Sequence, residues 1–566
     1  ISILETQTAS INTRMRGLLA YQYTGERSVR LGPPNLGYPS GYYPCADGYI
    51  SISGGGPQFW PRTVKLLGMP ELLDDPKYAP PLGQLDPDAR EDFEAEIWLP
   101  WLLARTKQEA VAECQQYEIL SGAVNTIDEV VDNNPQLEAR GGYFVNIEHP
   151  VAGTYKFPGA PILIDRKWWN IHTPAPTLGQ HNSFLKAPLK AWSSPSSENL
   201  KPDLQHDSNA RGAQSPRKPL EGVRIIDMTV VWAGPYATMF LADMGAEVLK
   251  MESLRVYDSH RGPVNPARGV VSYPDSEPGE EPWNRNGWFN CLHMSKYGIT
   301  LELTEKLGRE TFEQLVSISD VVIENFRQGS LERLGYTYDI LKGIRPDLIY
   351  VSMPAFGNSG PWQKYVAYGI GQEQLSGMAY MTGYTNDGPM KSGINHGDPI
   401  TGSHAAGVLL AALRYRRRTG EGMFIDVSQQ ESAVSLIGGP LLAYQMTGQE
   451  PDRIGNRSPN IAPHNCYPCQ GEDRWVTIAI KSDQKWTLLA ESMEAEHLSK
   501  DPRFATNASR LANEDDLDAL IKEWTSNRDA YEITEQLQYH GISAMPVFRG
   551  PDLLENPHYK IGRAHV

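Results

Sequence analysis

Asp398 directly follows a glycine in Ser392-Gly393-Ile394-Asn395-His396-Gly397-Asp398. A carboxylate there could act as a nucleophile, being ionised at neutral pH. It could equally cap a helix, and taken alone the local sequence reads that way, because Asp398 and Pro399 stand just ahead of the helical stretch Thr401–Leu413. A second place for chemistry is Trp232-Ala233-Gly234-Pro235, where an apolar run gives way to a helical pattern. Free N–H groups at such a helix start can receive a phosphate. No G-x-G-x-x-G accompanies the turn, so a nicotinamide or flavin site has weak support. Cys466-Tyr467-Pro468-Cys469 has zinc-ligand spacing but no second pair nearby.

The elements that must position these residues alternate between strand and helix. Val223–Met228 reads as a buried strand, followed by a helix ending near Gly245 and the strand Glu247–Glu252. That is a βαβ unit, with Pro235 well placed in the first helical turn. Asp320–Phe326 and Leu348–Met353 read as further strands.

The chain also repeats itself. Leu18–Gly25 (LLAYQYTG) and Leu441–Gly448 (LLAYQMTG) share seven of eight residues. Tyr43-Pro44-Cys45 before Tyr49–Ile52 is answered by Tyr467-Pro468-Cys469 before Trp475–Ile478. Asp75–Tyr78 is answered by Asp501–Phe504, and Asn134-Pro135 by Asn556-Pro557. A repeat this long implies a duplicated domain rather than a solenoid. The repeat also argues against a metal, because Cys469 matches Cys45 whereas Cys466 matches Tyr42. The first copy has no counterpart of Pro219–Phe424, and the correspondence fails after Lys560, so the pattern is that of a two-module protein cut at both ends.

Composition narrows the class. A net charge of −16 argues against nucleic acid or an anionic membrane as a general partner. The basic run Arg414–Arg418 fits a solvated helix end. No apolar run reaches the roughly 18–20 residues needed to span a bilayer, and mean hydropathy is −0.44. Five cysteines in 566 residues do not make a disulfide scaffold and point to a reducing, cytoplasmic setting.

The ordered motifs of the second half support a family resemblance. Pro219–Glu252, Val322–Gly329, Leu331–Gly335, Ser376-Gly377, Gly397-Asp398 and the Arg416–Gly422 stretch leading to Asp426-Val427-Ser428 resemble the family III CoA-transferases, the formyl-CoA transferase and carnitine CoA-transferase group. The resemblance extends to the first module through the repeat and through Arg140-Gly141 and Gly153-Thr154. It implies a Rossmann-like α/β large domain with a small α+β domain, duplicated in tandem with the first copy incomplete. Residues 1–181 would be the C-terminal part of module one, 182–218 a linker, and 219–566 module two. In module two the large domain would span about 219–424 and the small domain about 443–547, with the return segment equivalent to Gly141–Pro161 missing. In module one that segment carries Tyr143–Val145 and Tyr155–Phe157, expected to pack onto a large domain.

The resemblance further implies that Asp398 attacks an acyl-CoA thioester, with coenzyme A as substrate rather than as a permanently bound cofactor, and a carboxylic acid as acceptor. It places CoA contacts on Trp232, Ala233, Leu301, Leu303, Asn325, Phe326 and Arg333, with Tyr368 beside the acyl group. It implies a homodimer or an intrachain pseudo-dimer of the two modules. Departures from the formyl-CoA transferase pattern include Trp232 in place of glutamine, Ser253 in place of a basic residue, and PNIAPHNCYP (Pro459–Pro468) in place of the glycine-rich loop. Oxalate and formyl transfer are therefore not implied. The similar 2-methylacyl-CoA racemases pair the aspartate with a histidine thirty residues earlier, where this chain has Tyr368. A tyrosine is a poor base at an ordinary pKa near 10, which leaves His396 and His293 as conceivable substitutes. A module that binds CoA esters without turning them over is the third reading.

Overall fold

In the computed structural model the described residues are 19–25, 37–80, 82–165, 168–171, 173–183, 218–255, 257–266 and 272–560. Fifteen strands lie among them. They are β1 (Ser40–Cys45), β2 (Gly48–Ser53), β3 (Leu120–Ala123), β4 (Phe144–His149), β5 (Gly153–Pro158), β6 (Ile162–Ile164), β7 (Arg224–Asp227), β8 (Glu247–Glu252), β9 (Tyr297–Thr300), β10 (Val321–Glu324), β11 (Ile349–Ser352), β12 (Met423–Val427), β13 (His464–Pro468), β14 (Trp475–Ala479) and β15 (Ser543–Pro546).

The central sheet has seven strands in the order β6-β12-β11-β10-β7-β8-β9. Strands β7 to β12 pair in parallel, and β6 closes one edge antiparallel to β12. A parallel sheet is covered on both faces, so its strands read as continuous apolar runs rather than as an alternation. Side chains still alternate between two cores. Ile225, Val321, Ile323, Ile349 and Val351 face one core, where the helices Ala233–Asp243 and Gly397–Thr419 pack. Ile226, Val322 and Tyr350 face the other, with Phe312 and Tyr336. This is the expected α/β architecture with a mainly parallel sheet.

Two small antiparallel sheets flank it, β1-β2-β3 and β13-β14-β15. Each stands over a core centred on a fully buried tryptophan, Trp60 in the first and Trp486 in the second, at matching places in the repeat.

The segment before residue 183 is seated on the large domain that carries Asp398. The β4–β5 hairpin lies against the helix Gly438–Thr447, where the Lys156 N–H donates to Gln445 Oε1 (2.8 Å) and Gln445 Nε2 to the Lys156 carbonyl (2.9 Å). Arg140 is fully buried between Asp426 and Glu431, at 2.7 Å from each. Gln136 Nε2 donates to the Phe356 and Ser359 carbonyls, and its Oε1 accepts the Trp362 N–H. The runs Tyr143–Val145 and Tyr155–Phe157 pack instead on the helical segment that follows the expected large domain, where Tyr143 and Phe144 meet Val434, Ile437 and Leu441 and Lys156 meets Gln445.

Candidate active site

Three helix starts converge on one carboxylate. Asp398 sits in the first turn of the helix Gly397–Thr419, which begins earlier and runs longer than the expected Thr401–Leu413. Its buried side chain lies against the backbone at Ala233 and Gly369, the first residues of the helices Ala233–Asp243 and Gly369–Leu375, and their N–H groups favour its charged form. Burial pushes the carboxyl up to about 7; the two N–H donors pull it down, and the charge of Glu373 adds to the rise. Asp398 is therefore more than a helix cap, because the donors that hold it belong to other elements.

Close packing sets this geometry. A Cβ at position 369 would overlap Asp398 Oδ2, and one at 402 would stand 2.5 Å from the Ala233 carbonyl. We expect Gly369→Ala to lower kcat/KM by about 100-fold, the scale of a 1 Å misplacement at a reacting group, while CoA affinity by calorimetry changes less than about fivefold. Wild-type kcat/KM in this variant would refute the placement of Gly369 against the carboxylate.

The turn that delivers the Ala233 N–H is held from several sides. Val231 adopts φ +67°, a costly conformation for a β-branched residue. Its N–H donates to both carboxylate oxygens of buried Asp258 at 3.2 Å. Asn325 brackets Val230, accepting its N–H and donating to its carbonyl, both at 2.8 Å. Lys250 Nζ donates to the Thr229 carbonyl and lies 3.6 Å from Asp258. Beneath the turn, Asp227 accepts from Thr229, Thr238 and Lys296. Burial opposes the charge on Asp227, but Lys296 and Lys250 prevail and hold it below the usual carboxylate range. Burial pushes Lys296 down to about 8, against the pull of Asp227.

On the other flank, buried Glu373 accepts the Ser392 hydroxyl (2.7 Å) and the His396 N–H (2.6 Å), fixing the loop that leads into Gly397. The first small sheet closes over this side. Ser51, Ser53 and Leu120–Gly122 face Ala367, Tyr368 and Gly371 across a cavity of about 20 Å³.

The structure sorts the expected site residues into groups. Trp232, Ala233 and Tyr368 stand at the Asp398 end. Trp232 is buried at the N-cap of its helix, and its indole Nε1 has no partner among the described residues. Tyr368 is 45% exposed, and its phenol is raised by partial burial and by the charge of Asp398. Leu301, Leu303 and Phe326 gather in one apolar cluster beyond β8, β9 and β10, with Leu303 itself buried. Asn325 joins the two groups, though its side chain is spent on Val230. Arg333 is exposed and donates to Ser330 Oγ at 3.0 Å, so the structure brings it to neither group.

Of the two histidines considered as a racemase base, His293 is engaged by Asp258 rather than by Asp398. Burial, then Lys296, pushes His293 down to about 4, and it lies 3.6 Å from Asp258, not at Asp398. His396 precedes Gly397 and is tied to Glu373 through its backbone. Ser253 donates to Glu302, and Arg255 is a surface residue near Glu302 and Glu305. Sequence reasoning missed Gly369, Glu373, Asp258 and Lys250. Asp227 left a signal, as a charged residue ending an apolar strand; Asp258 left none, because it lies outside any periodic segment.

The chain belongs to CoA-transferase family III: the family model matches residues 1–182 and 220–564. Succinyl-CoA–D-citramalate CoA-transferase of Chloroflexus aurantiacus is 33% identical over 348 residues, covering 61% of this chain and 83% of that protein. A probable CoA-transferase of Mycobacterium tuberculosis, Rv1866, is 29% identical over 526 residues; these cover 91% of this chain, which spans 61% of that longer protein. A solved CAIB/BAIF family protein from Brucella suis superposes with a TM-score of 0.55 at 32% identity, covering 61% of this chain and 88% of that one.

Proposed function

We propose that this protein transfers CoA from an acyl-CoA thioester to a carboxylic acid, with Asp398 as the covalent nucleophile. The observation that carries the reading is a buried carboxylate packed against the backbone of Gly369, with two other helices starting beside it at Ala233 and Gly369. The carboxylate attacks the thioester carbonyl, the tetrahedral oxyanion forms, and CoA thiolate leaves, giving a mixed anhydride on Asp398. The thiolate then attacks the aspartyl carbonyl, the donor acid departs as a carboxylate, and an aspartyl-CoA thioester results. The acceptor carboxylate displaces the thiolate from that thioester, forming a second anhydride. Attack of the thiolate on the acceptor carbonyl frees Asp398 and the new acyl-CoA. Helix-start N–H groups are preorganised donors for the negative charge that develops at each addition.

Leu301, Leu303 and Phe326 offer an apolar bed for CoA, and exposed Arg333 would have to leave Ser330 Oγ to reach its phosphates. The relatives' names indicate small dicarboxylic acids as acceptors and succinyl-CoA as a donor, which makes dicarboxylates the first acids to assay. Mass spectrometry after incubation with a panel of acyl-CoAs tests the reading. Hydroxylamine should convert the Asp398 side chain to a hydroxamate in the presence of acyl-CoA and not in its absence. A labelled residue elsewhere, with Asp398 unmodified, would overturn the assignment.

A further inference from the structure

Asp398 is followed by a proline, and the pair is used differently here from elsewhere in the chain. In Asp75-Pro76, Asp86-Pro87 and Asp501-Pro502 the carboxylate accepts the N–H of the residue after the proline, from Lys77, Asp88 and Arg503, each at 2.9 Å. That is the local turn and cap chemistry which pairs aspartate with proline. At Asp86 it sets the aspartate at the N-cap and Pro87 at the first position of the helix Pro87–Phe93. At Asp398 the corresponding N–H, of Ile400, goes to the His396 carbonyl instead (3.1 Å). The helix begins at Gly397, so Asp398 and Pro399 are its second and third residues. A first-turn N–H has no partner within the helix, so the ring is tolerated there, but capping does not call for it.

What the ring removes is a nucleophile. An aspartyl side chain activated as an anhydride or a thioester holds its carbonyl within reach of two backbone nitrogens. Attack by its own nitrogen would close a strained four-membered ring. Attack by the nitrogen of the next residue closes a five-membered succinimide. Well-aligned ring closures reach effective molarities of about 10⁵–10⁸ M, so a conformation visited rarely still competes with an acceptor acid. In that step the residue-399 nitrogen bonds to Asp398 Cγ and gives up its proton. The donor acid's carboxylate, or CoA thiolate, leaves with the electron pair. The product is inactive, because the nucleophilic carboxylate has become part of an imide. The nitrogen of Pro399 carries no proton to lose, and this route is closed.

We propose that Pro399 protects the acylated nucleophile from ring closure onto the backbone, so that Asp398 survives repeated turnover. The inference rests on the reading of Asp398 as the covalent nucleophile. In that cycle the side chain is an anhydride, then a thioester, then an anhydride again. Asp398 is buried, which keeps water from clearing the acyl group, and the thioester must wait for an acceptor acid. The neighbouring backbone is then the nucleophile most constantly at hand. An alanine at 399 supplies the missing N–H and keeps the carbonyl that accepts the Ser403 hydroxyl (2.8 Å). Alanine is also the better helix former, so the substitution tests the nitrogen rather than the fold.

The full chain, Pro399→Ala and Pro399→Gly are each incubated with acetyl-CoA or succinyl-CoA and no acceptor acid. Samples are quenched in acid, digested with pepsin and weighed, and a parallel set contains hydroxylamine. We expect hydroxylamine to trap Asp398 in all three proteins. Without it, the variants should accumulate a residue-398 peptide one water lighter than the unmodified one, at least about tenfold above wild type. The lighter peptide should require acyl-CoA, and activity should decay in step with its formation. Trapping in all three proteins with no lighter peptide in either variant overturns the proposal and leaves the nucleophile standing. Water loss that is equal without acyl-CoA also overturns it. Trapping in wild type alone would make Pro399 a positioning residue and overturn its protective role. Absence of trapping in wild type removes Asp398 as the nucleophile, and the proposal with it.

Discussion

On the proposed mechanism Asp398→Ala is expected to eliminate CoA transfer, by three orders of magnitude or more, while CoA affinity stays within a few-fold of wild type. Loss of a covalent nucleophile is among the largest single-residue effects in catalysis, and the groups that could hold CoA belong to other elements. In the proposed mechanism the ionised form is the nucleophile, so with a carboxyl pushed up to about 7 the transfer rate should climb as pH rises through that value. The same shift ties Asp398 to stability. Its folded pKa lies above the ordinary 3.8, so the protonated form suits the fold. The associated stability is complete below about pH 4 and is lost as pH rises through about 7, a total of at most ~4 kcal/mol for a shift of this size. Asp398→Asn, neutral at every pH, should therefore raise Tm most at pH 8, raise it less at pH 5, and leave it nearly unchanged only below about pH 4. Transfer within tenfold of wild type in the alanine variant defeats the mechanism. An equal Tm change at both pH values defeats the account of the carboxyl's environment.

The large-domain strands were legible because a parallel sheet buried on both faces writes itself as short branched runs. The expected Glu247–Glu252 coincides with β8, and Val223–Met228 and Leu348–Met353 overrun β7 and β11 only at their ends. Asp398 was legible through its family motif, whereas its donors were not, because a backbone N–H carries no side-chain signature. Gly369 looks like any other glycine until its missing Cβ is seen to leave room for a carboxylate. Asn325 was read as a ligand contact, and nothing in the sequence signals that its side chain also holds Val230, because that depends on the fold of a turn 95 residues away. The seating of the first segment was the least legible feature. Strand β6 is three residues long, and nothing in Ile162–Ile164 declares that its partner is β12.

That seating turns on Arg140, and Arg140→Ala should be the most destabilising single change outside the site. The guanidinium is fully buried, contacts Asp426 and Glu431 at 2.7 Å each, and fills the space beside Gly357, where a Cβ would overlap it. Removing one partner of a buried ion pair typically costs about 3–5 kcal/mol, because the charges left behind have lost water as well as their counter-ion. Asp426 also accepts the backbone and side-chain N–H groups of Asn358 at 3.1 Å, so the damage extends into the loop that leads towards Tyr368 and Gly369. Burial already pushes Glu431 up to about 7 even with Arg140 beside it. Without the arginine its carboxyl rises further, so the variant's deficit is largest above pH 7 and shrinks as acid neutralises Glu431. Arg140→Ala combined with Glu431→Gln should recover part of the loss, since the second change removes a stranded charge. The measurement is urea unfolding at pH 6 and pH 8, with limited proteolysis around residues 140–165 to report release of the first segment. A deficit below about 1 kcal/mol at both pH values, with the segment still protected, would mean that the β6–β12 pairing and the Gln136 and Gln445 hydrogen bonds hold the segment without the ion pair.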